Sequence, residues 1–343
     1  MRRLLNTLYI LSEDTYLSLK DQNVVIHPSD GQERMVPLLS LEAIYSFSYK
    51  GPSPSLLAEC NRNNIGYVCL SPQGFFQAQA AGRSNGNVLL RREQYRIADD
   101  LQKSSAIIRP MIIAKIYNCK WQIERTIRDH SLRIDAEKLK NVSISLDDII
   151  NQIRKEENPD VLRGIEGIAA NKYFGVFDDL IVNQKNDFVF KGRNKRPPLD
   201  RVNAMLSFGY TLLAADCSSA LESAGLDSYV GFLHRDRPGR SSLSLDIMEE
   251  MRCIAVDRFV LKLINLNRIK ANDFDVLENG SVYLNDRGKR IFITDWQKRK
   301  LDKMTHPFLK EEMPWGLVPF VQAQLLARYI RGDIDGYPPL MWK

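Results

Sequence analysis

The hydrophobic pattern of this sequence changes near residue 86, and that change limits the possible folds more than any other feature. Before it, short β-branched or aromatic runs such as NVVIH (23–27) and AIYSFS (43–48) follow one another closely, which is typical of β-strands. After it, apolar residues recur with a helical period over long segments, including Val88 to Gln102 and Ile107 to Ile134. The pattern predicts an α+β fold with a small β-rich domain at 1–86, a linker at Gly82 to Gly86 and a larger, mainly α-helical domain at 87–343.

Charge and hydropathy narrow the possible partners. The 343-residue chain carries 48 Lys and Arg against 42 Asp and Glu, a formal net charge of +6. A basic protein suits a polyanion partner without requiring one. The uncharged run from Val202 to Ala215 is too short to span a bilayer, and the apolar N-terminal run stops at Ser12 to Asp14 without a cleavage site. We therefore expect no membrane role, and a first strand rather than a signal peptide.

Five cysteines are scattered along the chain and form no CxxC pair. An odd number at such positions predicts reduced thiols that pack as small apolar residues. Because disulfides are rare in the cytoplasm, this usage favours a cytoplasmic protein.

The run from Tyr229 to Val260 is the most informative for chemistry. It contains His234, then a loop with three arginines, then serines (Ser241, Ser242, Ser244) that we expect to cap a helix from about Leu245. Asp246 and Glu249 lie three residues apart in that helix, so both carboxylates project from one face. An imidazole and carboxylates beside arginines suit a divalent cation that acts on phosphate. The alternative is an ordinary structural histidine and a solvated helix face.

A third carboxylate, Glu166, follows a strong helix start at Asn158 and Pro159. Gly164 and Gly167 flank it, and we expect these small residues to let another element pack closely and partly bury the charge. A buried carboxylate needs a partner such as a cation. The alternative is a Glu at a helix edge that faces water.

A basic loop precedes the predicted helix from Leu199 to Ala224. Arg193, Lys195 and Arg196 lie just before the helix N-terminus, which favours phosphate binding. A solvated loop is the alternative.

Towards the C-terminus, the segments GSVYLN and KRIFITD around Asp286 to Gly288 predict a β-hairpin. A basic helix from Gln297 to Met304 and a final helix from Val318 to Ile330 follow. The tail GDIDGYPPLMWK is either a flexible docking peptide or a segment packed on its own domain.

Three segments, in this order, resemble one known family: GIEGIAANKYF (164–174), RPPLDRVNAMLSFGYTLL (196–213) and GFLHRDRPGRSSLSLDIMEEMR (231–252). The resemblance is to the universal integrase and endonuclease of CRISPR adaptation, the Cas protein numbered first in its series. It implies a β-sandwich for dimerisation and docking, followed by a helical catalytic domain. It implies Glu166, His234 and Glu249 as metal ligands and Asp246 as a neighbouring acidic residue needed for activity. Oxygen ligands with one imidazole suit Mg²⁺ or Mn²⁺ better than Zn²⁺.

The function implied by the resemblance is integration of double-stranded prespacer DNA into a CRISPR repeat array by 3′-OH attack on phosphodiesters. The implied assembly is a homodimer with a small ferredoxin-like CRISPR partner. Two alternatives use the same residues: a metal-dependent nuclease of branched repair intermediates, and a non-catalytic nucleic-acid scaffold. The candidate phosphate contacts share a guanidinium or ammonium group near the motifs: Arg193, Lys195, Arg196, Arg235, Arg237, Arg240 and Arg252.

Overall fold

The computed structural model describes residues 6–29, 31–80 and 87–342 of the chain. The predicted linker from Gly82 to Gly86 lies outside these residues, as does the start of the apolar N-terminal run. Short strands precede residue 81 and helices dominate after residue 87, so the predicted α+β fold class is confirmed. No helix of the described chain is both long and apolar enough to cross a bilayer.

Seven described strands form two sheets in the N-terminal region. Their bounds are β1 Thr7–Ile10, β2 Tyr16–Lys20, β3 Asn23–His27, β4 Arg34–Pro37, β5 Ala43–Ser46, β6 Gly66–Leu70 and β7 Phe76–Ala80. One sheet has the order β1-β5-β6-β7, in which β1, β5 and β6 are parallel and β7 is antiparallel. The other is the antiparallel meander β2-β3-β4. Helix α1, Pro54–Arg62, connects the parallel pair β5 and β6, as parallel pairing requires a crossover.

A single apolar core joins the two sheets and α1. Leu17 and Val24 from the meander contribute to it together with Ile44 from the other sheet and Leu56 from α1. These four side chains have no exposed surface. Ser53 caps α1, because its hydroxyl accepts from the backbone N–H of Leu56 at 3.2 Å.

The later region contains nine described α-helices. They are α2 Val88–Asp99, α3 Leu101–His130, α4 Ala136–Ile153, α5 Pro159–Gly175, α6 Arg201–Ala224, α7 Ser242–Arg252, α8 Arg258–Asn265, α9 Asp286–Leu301 and α10 Val318–Ile330. The long helix α3 packs against α4, α5 and α7, and so joins the helices that carry the predicted site. A π-helical turn at Cys253–Asp257 connects α7 to α8. Gly225 ends α6 in the left-handed conformation at φ 84°, so the helix stops at Ala224 as predicted.

The predicted hairpin around Asp286 was wrong in its second strand. The hairpin consists of β8, Phe274–Val276, and β9, Val282–Leu284, whereas KRIFITD lies inside α9. The helix prevails because Phe292, Ile293 and Trp296 recur at helical spacing and are buried together. The predicted basic helix is the end of α9, which stops at Leu301. The short strands β10, Lys303–Thr305, and β11, Glu312–Pro314, follow it.

The described residues fall into two compact units. The first consists of the strands before residue 81 together with Asp286–Lys303 and Pro314–Leu317, and the second holds the rest. Within the first unit, Gln297 of α9 donates to the Tyr9 hydroxyl at 2.8 Å. The proposed functional division of the chain at residue 86 stays a prediction.

The C-terminal tail packs on its own unit, which was one of the two predicted outcomes. Tyr337 and Leu340 are buried. The Leu340 backbone N–H donates to Glu250 at 2.9 Å, and the Trp342 ring lies 4.7 Å from the Arg258 guanidinium. The tail is therefore part of the helical core in this chain.

Candidate metal centre

Asp246 organises the loop that carries His234. Its carboxylate is fully buried and accepts the backbone N–H groups of Phe232, Leu233 and His234 at 2.6, 2.9 and 2.9 Å. It also pairs with Nδ1 of His234 at 2.7 Å. With Nδ1–H donated to a carboxylate, the neutral ring presents Nε2 as its lone-pair nitrogen, which is how metal-binding histidines are commonly oriented. Asp246 therefore positions the imidazole.

Gly231 makes this close approach possible. A Cβ at this residue would lie 2.8 Å from Oδ2 of Asp246 and 2.8 Å from Cβ of Ser242. Such a contact is too short for a side chain and has no flexible end to move aside, so only hydrogen fits there. The glycine lets the backbone before His234 lie against the start of α7.

The start of α7 departs from the prediction in both position and capping. The helix begins at Ser242 rather than near Leu245, and its N-cap Ser241 makes no side-chain capping bond. The backbone carbonyl of Ser228 instead accepts from the N–H groups of Leu243 and Ser244 at 3.0 and 3.3 Å. Predicted capping by the serine hydroxyls was wrong because this incoming loop supplies the acceptor.

Glu166 and Glu249 meet at one buried cation, the ammonium group of Lys115 on α3. Lys115 forms ion pairs with Glu166 of α5 and, at 2.5 Å, with Glu249 of α7. The Lys115 side chain is 6% exposed, that of Glu249 8% and that of Glu166 22%. Arg252, one turn after Glu249, donates to both oxygens of its carboxylate at 3.0 and 3.1 Å. Three helices thus bring two of the predicted ligands to a common point.

These charges fix the ionisation of Glu249. Burial alone would raise the pKa of its carboxyl, but Arg252 and then Lys115 outweigh burial and lower the pKa to about 2. His234 is among the groups that lower the pKa of Glu249, so its imidazole lies within electrostatic range of this carboxylate. Burial would lower the pKa of Lys115, yet the Glu249 carboxylate raises it overall. Glu249 is therefore an anion at neutral pH.

The donor set fits a hard divalent cation. Two carboxylates already converge on a cationic group, and a histidine oriented by Asp246 lies nearby; oxygen ligands with one imidazole suit Mg²⁺ or Mn²⁺. In the described residues, no three His, Cys, Asp or Glu side chains are arranged closely enough to hold a metal ion as they stand. The assignment of Glu166, His234 and Glu249 as ligands stays a prediction.

The surroundings of Glu166 differ from the prediction in one respect. A Cβ at Gly164 or Gly167 would meet nothing within 4 Å, so no element packs against these glycines. The predicted close packing at both glycines was wrong. The partial burial of Glu166 comes instead from α3, through Lys115. The predicted helix start is confirmed, since Asn158 accepts from the N–H groups of Asp160 and Val161.

The basic residues of the loop before α6 take different positions. Arg193 is held inside: it donates to Asn203 at 2.6 Å and to Ser207 at 3.1 Å, and lies 5.3 Å from the Tyr210 ring. Lys195 and Arg196 are exposed. Desolvation, followed by the charges of Arg252 and Arg193, lowers the pKa of Lys195, whereas Glu249 raises it, so this ammonium is within electrostatic range of the Glu249 carboxylate.

The arginines after His234 also divide into exposed and held groups. Arg235 is exposed and pairs with Asp160 of α5 at 2.5 Å, and Arg237 is exposed. Arg240 donates to the carbonyl of Arg235 and is half-buried. Arg252 is held by Glu249 and by the rings of Tyr210 and Phe174, at 4.4 and 5.7 Å. Their roles as DNA contacts stay predictions.

Two residues of the site had no signal in the motifs. Lys115 lies on α3, 51 positions before its partner Glu166, amid residues of ordinary helical pattern. Arg163 donates from Nε to the Leu233 carbonyl at 2.6 Å and so ties α5 to the loop before His234. The sequence offered one sign for Lys115: it lies among the apolar positions of the helical pattern of α3.

Solved structures share this fold. A casposase bound to integration product gives a TM-score of 0.86 at 22% identity, covering 98% of this chain and 94% of that one. A Cas1 protein from Thermotoga maritima gives 0.81 at 22% identity, covering 95% and 97%. A Cas6-RT-Cas1–Cas2 complex gives 0.81 at 22% identity, covering 98% of this chain and 36% of that one. The chain therefore has the fold of a Cas1 protein and of a casposase.

The sequence then identifies the family. The family model described as CRISPR associated protein Cas1 matches residues 8–298. The chain is 45% identical over 343 residues to the CRISPR-associated endonuclease Cas1 1 of Chlorobaculum tepidum, covering 100% of both chains. It is 45% identical over 347 residues to the CRISPR-associated endonuclease Cas1 2 of Rhodospirillum rubrum, again covering 100% of both. The chain belongs to the Cas1 family, which confirms the resemblance seen in its three motifs.

Proposed function

We propose that this protein is a metal-dependent DNA integrase and endonuclease that joins prespacer DNA to a CRISPR repeat array. The observation that carries the proposal is the convergence of Glu166 and Glu249 on one buried cationic point, beside a histidine oriented by Asp246. Relatives named as CRISPR-associated endonucleases and a fold neighbour bound to integration product support it.

The proposed metal ligands are Glu166, His234 and Glu249. A bound Mg²⁺ or Mn²⁺ would supply a Lewis acid that neutralises charge on the reacting phosphate. Asp246 keeps the His234 ring in the ligand tautomer, and Arg252 holds the Glu249 carboxylate in place.

The proposed reaction is a transesterification. A DNA 3′-OH attacks a phosphodiester, a new P–O bond forms and the old P–O3′ bond breaks, so no ATP is needed. Water competes with the 3′-OH at about 55 M, but a positioned hydroxyl reaches an effective molarity of roughly 10⁵ M or more. The residues proposed to hold the DNA share an exposed positive charge: Lys195, Arg196, Arg235 and Arg237.

Blocking the nucleophile tests this reaction. The protein, its partner and Mg²⁺ or Mn²⁺ are incubated with a repeat-bearing supercoiled plasmid and a duplex with free or dideoxy 3′ ends. We expect joined products with the free ends alone. Joining of the blocked duplex at the unblocked rate would contradict the proposal. Hydrolytic nicking of branched DNA without joining would instead favour a repair nuclease. Absence of both joining and metal-dependent nicking would favour a scaffold, and nicking that is lost in Glu166→Ala would exclude one.

The metal ligands are tested by binding. We expect His234→Ala and Glu249→Ala each to weaken Mn²⁺ binding measured by calorimetry, with unchanged circular dichroism. Unaltered affinity in both variants would remove the ligand assignment. His130→Ala is the matched control, because His130 ends α3 away from these carboxylate contacts.

The proposed assembly is a homodimer with a small ferredoxin-like CRISPR partner, in the cytoplasm. Two strand transfers on opposite DNA strands require two sites, which supports more than one copy. A fold neighbour is part of a complex with Cas2, which supports a partner of that kind. All five cysteines are free, as expected of a protein in a reducing compartment.

A further inference from the structure

Lys115 lies at the one point where two of the proposed metal ligands meet. Its ammonium group contacts Glu166 and Glu249, and its side chain is 6% exposed. We propose that Lys115 is an internal competitor of the metal: its ammonium group occupies the cation position in the metal-free protein and leaves it when a divalent cation binds. This inference rests on the proposed metal site and adds a positioning role for a residue on α3.

The charges at this point are balanced without a metal. Lys115 and Arg252 contribute two positive charges, and Glu166 and Glu249 contribute two negative ones. A divalent cation added with Lys115 still in place would bring two further positive charges into a region shielded from water. Repulsion between cations is strong at this distance and burial, so the metal and the ammonium exclude each other.

Lys115 rather than Arg252 is the cation able to move. The Arg252 guanidinium donates two hydrogen bonds to Glu249 and lies 4.4 Å from the Tyr210 ring and 5.7 Å from the Phe174 ring. These contacts hold the planar guanidinium of Arg252 at its edge and against its face. Lys115 has a point charge on a flexible four-carbon stem, which can turn away by rotation about its single bonds.

The competition has a use in the reaction. While Lys115 is in place, the carboxylates are held together instead of repelling one another. A displaced ammonium needs a new anionic partner, and a DNA phosphate at the same site provides one. Metal and DNA therefore assist each other's binding, and this coupling passes through Lys115.

Removal of the charge tests the proposal without an activity assay. Mn²⁺ affinity is measured by calorimetry for the wild type and Lys115→Met, with and without a short DNA duplex. We expect Lys115→Met to bind Mn²⁺ about tenfold or more tightly without DNA, because one competing cation is gone, and the gain in affinity from DNA to shrink. Lys120→Met is the matched control, since Lys120 is on the same helix but pairs with Asp147, outside the site.

Equal or weaker Mn²⁺ binding by Lys115→Met overturns the competition. If that variant does not fold, Lys115→Gln keeps a donor for one carboxylate without the charge and is judged by the same criterion. The wild type gives a second readout: the ¹⁵N resonance of the Lys115 side chain shifts on saturation with Mg²⁺ if the ammonium leaves, and an unchanged resonance refutes displacement.

The outcomes separate this inference from the proposed function. Tighter Mn²⁺ binding by Lys115→Met together with no joining of 3′-OH ends by the wild type would refute the integrase and leave the competition standing. If neither protein binds Mn²⁺ in a manner that depends on His234 and Glu249, the metal site and the competition are both overturned.

Discussion

Residue 231 is a glycine, and the geometry of the site depends on the absence of a side chain there. The space that a Cβ would need is taken by the Asp246 carboxylate and by Ser242. Asp246 in turn holds three backbone N–H groups and the His234 ring. A methyl group added at Gly231 would therefore displace Asp246 and, through it, the His234 imidazole.

Gly231→Ala should destabilise the protein and weaken Mn²⁺ binding. Overpacking of a tight contact costs about 1–3 kcal/mol, and the loop must move away from Asp246. Gly164→Ala is the matched control. The added Cβ would meet nothing within 4 Å, and alanine is favoured over glycine in a helix by about 1 kcal/mol. Urea unfolding and calorimetry check both. Equal effects of the two substitutions would contradict the role assigned to Gly231.

His306 provides a pH-dependent contribution to stability. The ring is fully buried, Nδ1 accepts from the N–H groups of Phe308 and Leu309 at 3.3 and 3.2 Å, and Nε2 pairs with the Gln322 side-chain oxygen at 2.9 Å. Nδ1 must therefore carry the lone pair, and a proton there would face two N–H groups. Burial lowers the pKa of this histidine below its ordinary value of 6.5.

The contribution of His306 to the free energy of unfolding should fall as the pH is lowered below 6.5. The unfolded chain takes up a proton near pH 6.5 while the folded ring does not, so stability present above that pH is lost as the pH falls towards the folded pKa. His306→Gln should be less stable at pH 8 and show a flatter dependence between about pH 6.5 and 5. Urea unfolding at several pH values measures this. A parallel dependence in both proteins would show that His306 does not titrate in this range.

At the scale of elements, the C-terminal tail is held by side chains of α3, α7 and α10. Glu250 of α7 accepts from Gln322, Tyr337 and the Leu340 N–H, and Asn118 of α3 donates to the Leu340 carbonyl at 2.7 Å. The two oxygens of the Glu250 carboxylate thus accept hydrogen bonds from three donors. Glu250 directly follows Glu249, so the tail is joined to the helix turn that carries a proposed ligand.

Glu250→Gln should release the tail. A Gln amide replaces one acceptor oxygen with a donor, which leaves a buried donor facing another donor at a cost of about 1–3 kcal/mol. We expect faster amide hydrogen exchange over residues 337–342 and a lower free energy of unfolding. Glu278→Gln, in the exposed turn between β8 and β9, is the control. Unchanged exchange in the tail would contradict the tether.

Local signals predicted most elements, and contacts distant in sequence decided the rest. The cap of α5 at Asn158 and the end of α6 at Gly225 were predicted correctly because both depend on neighbouring residues. KRIFITD was assigned to a strand because a short apolar run does not distinguish the two periods, and burial of Trp296 within α9 decided for the helix. Lys115 was missed because its partners lie in other helices and no spacing records their proximity.

At the scale of the whole molecule, the net charge of +6 is less informative than the position of the exposed cations. Within the loop before α6, Arg193 is committed to Asn203 and Ser207, whereas Lys195 and Arg196 are exposed. Arg252 lowers the pKa of Lys195 and Glu249 raises it, so this ammonium is within electrostatic range of a proposed metal ligand. We therefore expect a DNA backbone that reaches the metal ligands to pass close to Lys195 and Arg196.

Neutralising Lys195 and Arg196 together to Gln should reduce the salt dependence of DNA binding. Each phosphate that a cation neutralises adds about 0.9 to the steepness of log K against log salt, so the double variant should be shallower by roughly twice that amount while its sequence preference stays the same. Fluorescence anisotropy with a labelled duplex over a range of salt concentrations measures the slope. The control neutralises Lys185 and Lys310, two exposed lysines outside the acidic cluster, and removes the same charge. If both double variants show the same decrease in slope, DNA binding depends only on the overall charge, and the loop before α6 does not contact the DNA.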